Sequence, residues 1–183
     1  GPGGGALGLL SANPYISGMK FLAIDFETAD YGRDSACALG LVRVEEGKIT
    51  KRKHLLIRPP RREIVFTYIH GITWQDVADQ PTFGEQWDEI ASMMKGVDFL
   101  AAHNASFDRG VLHECCRVAG IPAPELEFRC TMQLARKIWK LYPTNLPAVC
   151  RHFNIPLKHH DAASDTEACA RIMIEALKAF DVS

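Results

Sequence analysis

Asp25 and Glu27, then Asp108, then His160 and Asp165 stand at spacings that one kind of chemistry requires. Four are carboxylates and one is an imidazole. Four carboxylates near one point repel strongly unless divalent cations sit between them. Two metal ions held close together are the usual device for cleaving a phosphodiester, one activating water and the other stabilising the leaving oxygen. A histidine beside them is suited to deprotonate that water. The five residues therefore read as a site that cuts nucleic acid.

Each residue alone also has a plainer explanation. Asp25 and Glu27 are two apart in an apolar run, so on a strand their side chains share one face while Phe26 points into the core. Acids at a strand end can simply meet water. Asp108 and Asp165 fall in the first turns of helices, where acids suit the helix dipole. His160 precedes Asp165 in a loop, with His159 as a competing candidate. Zinc ligation by His159, His160 and His103 is a further reading, but carboxylate oxygens dominate and suit magnesium or manganese better. What the single explanations leave out is that all five occur in one chain.

The elements that must position them can be read from periodicity. Lys20–Phe26 (KFLAIDF) reads as a buried strand, with further strands over Cys37–Val44 and Lys48–Ile57 joined by a Glu45-Glu46-Gly47 turn. Pro59-Pro60 stops the third. Pro81 and Thr82 open a helix with Phe83, Trp87, Ile90, Met93 and Met94 on one stripe. Asp98–Ala102 is a strand. Asn104 then caps a helix placing Phe107, Val111, Leu112, Cys115 and Val118 inward, closed by Gly120 and Pro122. Leu126–Cys130 reads as a strand, and Met132–Lys140 and Leu146–Phe153 as helices. Ser164-Asp165-Thr166-Glu167 is a capping box opening a last helix whose stripe runs from Cys169 to Phe180. This order predicts an α/β fold: a mixed five-stranded sheet, an antiparallel meander extended by parallel strands, flanked by helices.

With 183 residues, 47% of them hydrophobic, one domain with a sizeable core is expected over residues 19–183. Residues 1–18 begin glycine-rich, lack any lysine or arginine, and read as an added leader or a disordered segment preceding a native start at Met19. The net charge of −1 excludes a globally basic nucleic-acid coat, so any grip on a polynucleotide is local. Six cysteines show no CxxC pair and read as reduced thiols of a cytoplasmic protein. No apolar run approaches membrane-spanning length. From Lys48 to Arg62 the chain carries seven basic residues and no acid. That stretch is either a solvated edge strand or a patch guiding the scissile strand. Trp74, Trp87 and Trp139 lie in or beside apolar patterns and read as core residues.

Taken together, Asp25-Phe26-Glu27-Thr28, His103-Asn104-Ala105-Ser106-Phe107-Asp108 and His160-x4-Asp165 resemble the three motifs of the DEDDh exonucleases, in order and separation. The nearest flavour is the proofreading exonuclease of bacterial DNA polymerase III. Ile69-His70-Gly71-Ile72-Thr73 also looks like a segment of that group. The resemblance implies a ribonuclease-H-like fold and a 3′→5′ exonuclease releasing nucleoside 5′-monophosphates. It implies two Mg²⁺ or Mn²⁺ ions on Asp25, Glu27, Asp108 and Asp165, with His160 as general base. Thr28 and Phe107 would meet the terminal nucleotide, Thr28 through its backbone at the 3′-hydroxyl. Asn104 and His103 would complete the substrate side by shaping the loop. The implied partners are the 3′ end of single-stranded DNA or RNA and a DNA polymerase or other replication or repair protein, with no membrane. An oligoribonuclease-like enzyme is the near alternative. A non-catalytic nucleic-acid-binding module is the other class, and the presence of all five residues argues against it.

Overall fold

The computed structural model describes residues 18–180; the leader assigned to residues 1–18 lies outside them apart from Gly18. A five-stranded sheet has the order β3-β2-β1-β4-β5. β1 (Lys20–Thr28), β2 (Ala36–Glu45) and β3 (Lys48–Leu56) form the antiparallel meander, and β4 (Phe99–Ala102) and β5 (Phe128–Cys130) extend it in parallel. The mixed sheet expected from element order is the one observed. Glu46 and Gly47 form the tight β2–β3 turn, both with positive φ (53° and 76°), the geometry that matches the twist of two paired strands.

Alternation along β1 divides the core between two faces. Leu22, Ile24 and Phe26 face α3 (Trp87–Met94) and α4 (Ala105–Ala119). Phe21 and Ala23 face α7 (Ala162–Ala179), where Phe21 stacks on Phe99 with centroids 5.2 Å apart. α5 (Thr131–Trp139) and α6 (Leu146–Phe153) pack beside α7. Asp25 and Glu27 continue the odd-numbered row, so they point to the side α7 covers. Gly40, the register partner of Asp25, lets α7 come this close: a Cβ there would strike the Thr166 hydroxyl and the Ala162 carbonyl.

Several local expectations need correction. Two single-turn helices, α1 (Thr67–His70) and α2 (Trp74–Val77), went unread because four residues are too few for periodicity to register. The helix expected from Thr82 opens as a short 3₁₀ turn at Gly84–Gln86 before α3 begins. Ser164 does not cap α7. The cap is Asp161, whose Oδ1 accepts the Ser164 N–H at 3.0 Å, while the Ser164 hydroxyl accepts from the Lys158 N–H. Asn104 occupies the cap position of α4 without a side-chain cap bond, because its left-handed backbone (φ 70°) departs from the extended geometry such a bond needs. Phe107 (41% exposed) and Val118 (56%) face outward, not inward. Trp74, Trp87 and Trp139 are half-buried at the margins of the apolar clusters. The six cysteines are free thiols. No helix among the described residues is long and apolar enough to cross a membrane.

Candidate active site

β1 outruns its parallel neighbour. It pairs with β4 at Phe21–Phe99, Leu22–Leu100 and Ala23–Ala101, then continues alone on that side to Thr28. A backbone N–H beyond the last ladder pair needs another acceptor. Asp108, in the first turn of α4, supplies it: its Oδ1 accepts the Phe26 N–H at 2.9 Å. Asp108 thus reaches the end of β1 from one face of the sheet. Asp165, in the first turn of α7, reaches it from the other.

Carboxylate oxygens of Asp25, Glu27 and Asp165 lie within 4.8 Å of one another. Asp108 is turned to the Phe26 N–H, yet its charge still acts on Asp25 and Glu27. Asp108 and Asp165 are buried, 2% and 4% exposed. Asp25 Oδ2 is buried and has no hydrogen-bond partner. A buried anionic oxygen without a partner is costly, so something positive must complete it. The donor set is hard oxygen throughout, which fits Mg²⁺ or Mn²⁺.

The electrostatics of these acids report the same strain. Burial raises Asp25 well above the ordinary carboxylate range, and Asp108, Glu27 and Asp165 add repulsion. Burial pushes Glu27 up to about 8, with Asp165, Asp108 and Asp161 contributing. Burial also lifts Asp108 to about 7, against the opposing pull of the Phe26 N–H. Asp165 is raised too, chiefly by burial.

The loop before α7 brings two histidines to Asp165. His160 adopts a left-handed backbone (φ 66°) and donates its N–H to Asp165 Oδ2 at 3.1 Å. His159 Nδ1 sits 3.3 Å from Asp165 Oδ1. The rings stack with centroids 3.8 Å apart, and their nitrogens lie within 4.8 Å of each other and of an Asp165 oxygen. Burial and the neighbouring His159 hold the His160 imidazole below its usual value. His103 does not join them: its ring nitrogens contact Thr131 Oγ1 and the Thr144 carbonyl, each at 2.8 Å. The three-histidine zinc arrangement therefore does not form. Thr28 is buried at the strand end and Phe107 is exposed one residue before Asp108.

The basic stretch is largely compensated. Arg52 pairs with Glu167, Lys53 with Glu89 at 2.7 Å and Arg58 with Glu85 at 3.4 Å. Arg61 forks onto Asp30 and Asp34 and holds both carboxyls below the ordinary range. These acids come from other segments, so the local run looked more basic than it is. β3 is an edge strand, as the alternative reading of that stretch requires. Two residues near the site carried no role in the sequence: Asp161, whose signal was its position three before Ser164, and His70, visible only as part of the Ile69–Thr73 segment.

The chain is similar to known exonucleases in both sequence and fold. A family model described as Exonuclease matches residues 22–173. Exodeoxyribonuclease 10 of Escherichia coli is 32% identical over 84% of this chain and 67% of its own length. The PolC-type DNA polymerase III of Bacillus cereus is 30% identical over 91% of this chain, which spans only 12% of that polymerase. The solved structure of Exonuclease X in complex with 5′-overhanging duplex DNA superposes with a TM-score of 0.69 at 30% identity, covering 86% of this chain and 91% of that one.

Proposed function

Since the chain belongs to the exonuclease family, as a DEDDh-type 3′→5′ exonuclease with a ribonuclease-H-like fold, we propose that it removes nucleotides from the 3′ end of single-stranded DNA, releasing nucleoside 5′-monophosphates. The observation that carries the reading is the orphaned, buried Asp25 Oδ2 among the carboxylates of Asp25, Glu27 and Asp165. Asp25, Glu27, Asp108 and Asp165 are the proposed holders of two divalent ions. Bound there, Mg²⁺ or Mn²⁺ supplies Lewis acidity to the phosphate and charge to offset about −4 from the acids.

The side chains have separate tasks. His160 takes the proton of the attacking water, for which its neutral form is required. The depressed proton affinity of its ring favours that form near neutral pH. Asp165, gripped by the His160 N–H and by His159, keeps the histidine loop beside the acids. Thr28 meets the terminal 3′-hydroxyl through its backbone, and exposed Phe107 offers a ring face to the last base. His103 holds the loop that leads into α4 through Thr131 and the Thr144 carbonyl, and Asn104 turns it there with its left-handed backbone.

The DNA-acting relatives support DNA over RNA as substrate, and the likeness to a region of PolC-type DNA polymerase III supports a DNA polymerase or other replication or repair protein as partner. Free thiols suit a reducing compartment such as the cytoplasm. The test is digestion of 5′-labelled single-stranded DNA and RNA of one sequence with Mn²⁺ or with EDTA, beside Asp25→Asn. A ladder shortening from the 3′ end, faster on DNA and abolished by EDTA and by the substitution, is expected. Faster loss of RNA would make the enzyme an exoribonuclease. Intact substrate throughout would overturn the reading.

A further inference from the structure

The chain leaving β1 is held more tightly than an ordinary strand end. Ladder register slips between Glu27 and Thr28, where Glu27 faces Ala38 and Thr28 faces Ala36, leaving Cys37 as the extra residue. Such a bulge frees local peptide groups from the ladder. Here they are caught from outside it. Cys37 Sγ donates to the Glu27 carbonyl at 3.4 Å. The Thr28 carbonyl lies 2.9 Å from His70 Nε2. Ala29 donates to the Ser35 carbonyl at 2.8 Å, and its own carbonyl accepts from Val65 and Phe66.

His70 can donate to Thr28 in only one neutral form, and the structure selects it. Its Nδ1 accepts the Ile72 N–H at 3.1 Å, so Nδ1 is bare and the proton sits on Nε2. Gly71, left-handed at φ 77°, ends the α1 turn and brings Ile72 back to the ring. The peptide planes on the two sides of Thr28 are therefore fixed, one by Cys37 and one by His70. The Thr28 N–H lies in the plane of the Glu27 carbonyl, which Cys37 holds. His70 holds the next plane, shared by the Thr28 carbonyl and the Ala29 N–H, and its Nε2 lies 3.8 Å from Cys37 Sγ, so it pins the backbone torsions of Thr28 that join the two planes.

We propose that His70 is a positioning residue for the exonuclease reaction: by holding the Thr28 carbonyl it fixes the backbone torsions of Thr28, so that the Thr28 N–H, in the neighbouring peptide plane, is aimed at the terminal 3′-hydroxyl. This rests on the reading above, in which Thr28 meets that hydroxyl. His70 touches no reacting atom; it acts through Thr28.

The test compares 5′-labelled single strands ending in a 3′-hydroxyl or a 3′-deoxy sugar, cut by wild type, His70→Ala and His70→Gln with Mn²⁺. A glutamine amide places a donor near the position of Nε2. His70→Ala should slow the 3′-hydroxyl strand by about threefold to tenfold, the worth of one net hydrogen bond. It should leave the 3′-deoxy strand at the wild-type rate, and His70→Gln should recover most of the loss. Equal slowing of both strands, or of neither, overturns the proposal while leaving the exonuclease intact. A folded wild type that cuts neither strand overturns the exonuclease reading itself, and this proposal with it.

Discussion

Asp25 presents a conflict that one substitution can expose. Its Oδ2 is buried without a partner beside three other acids, so the ionised side chain opposes folding when no cation is present. Asp25→Asn removes that charge. In EDTA near pH 8 its thermal midpoint should exceed that of wild type, while the rise produced by Mn²⁺ should vanish and activity fall by about 10²-fold or more. A lower midpoint in EDTA would mean that the carboxylate is stabilising by itself. The histidines separate in another way. His160→Ala should preserve stabilisation by Mn²⁺ yet slow hydrolysis by about 10²–10⁴. His159→Ala removes a 3.3 Å contact to Asp165 and the ring stacked on His160, and should do less damage. If it does more, the two residues exchange roles.

At the scale of elements, the site depends on how closely α7 lies on β2. Gly40→Ala would push a methyl group against the Thr166 hydroxyl and the Ala162 backbone, and a backbone neighbour cannot rotate away. The substitution should cost about 1–3 kcal/mol in urea unfolding. Because Asp165 lies in the same turn of α7, Mn²⁺ affinity should fall with it. Unchanged affinity in a destabilised variant would mean that the acid cluster tolerates movement of the helix. The need for glycine at this position is not visible in the sequence, where Gly40 sits in an ordinary apolar strand. What was legible follows a pattern: Asp25, Glu27, Asp108 and Asp165 each stand at the end of a periodic element, and such ends can be found by period alone. The cap of α7 was misplaced because Asp161 and Ser164 both suit a cap, and backbone angles decide between them. The contact of His70 with Thr28 joins residues far apart in the chain, and nothing local announces it. The compensation of Arg61 by Asp30 and Asp34 escaped reading for the same reason.

For the whole molecule, a net charge of −1 conceals four acids gathered at one point, and this makes stability depend on pH and metal together. Glu27 is raised from 4.5 to about 8 and Asp108 from 3.8 to about 7 in the folded chain. A carboxyl raised by folding binds more protons folded than unfolded. Its stabilisation is therefore complete below the unfolded value and is lost as pH rises through the folded one. His70, His103 and His160 are lowered and act oppositely, but their window lies below 6.5, the value of the unfolded imidazole. Buried thiols, raised from 9.0, contribute only at higher pH. Between about pH 6.5 and 8 the acids dominate, so stability in EDTA should fall across that interval. Divalent cations compete with those protons, so the stabilisation by Mn²⁺ should grow over the same interval. At a hundredfold excess over its dissociation constant it should reach about 2.7 kcal/mol for one site. Chemical unfolding at pH 6.5, 7.25 and 8, with EDTA and with Mn²⁺, reads both slopes at once. Parallel slopes would separate the metal from the titrating acids, and a flat EDTA slope would mean that the four carboxylates are ionised in the folded chain with cations already unnecessary.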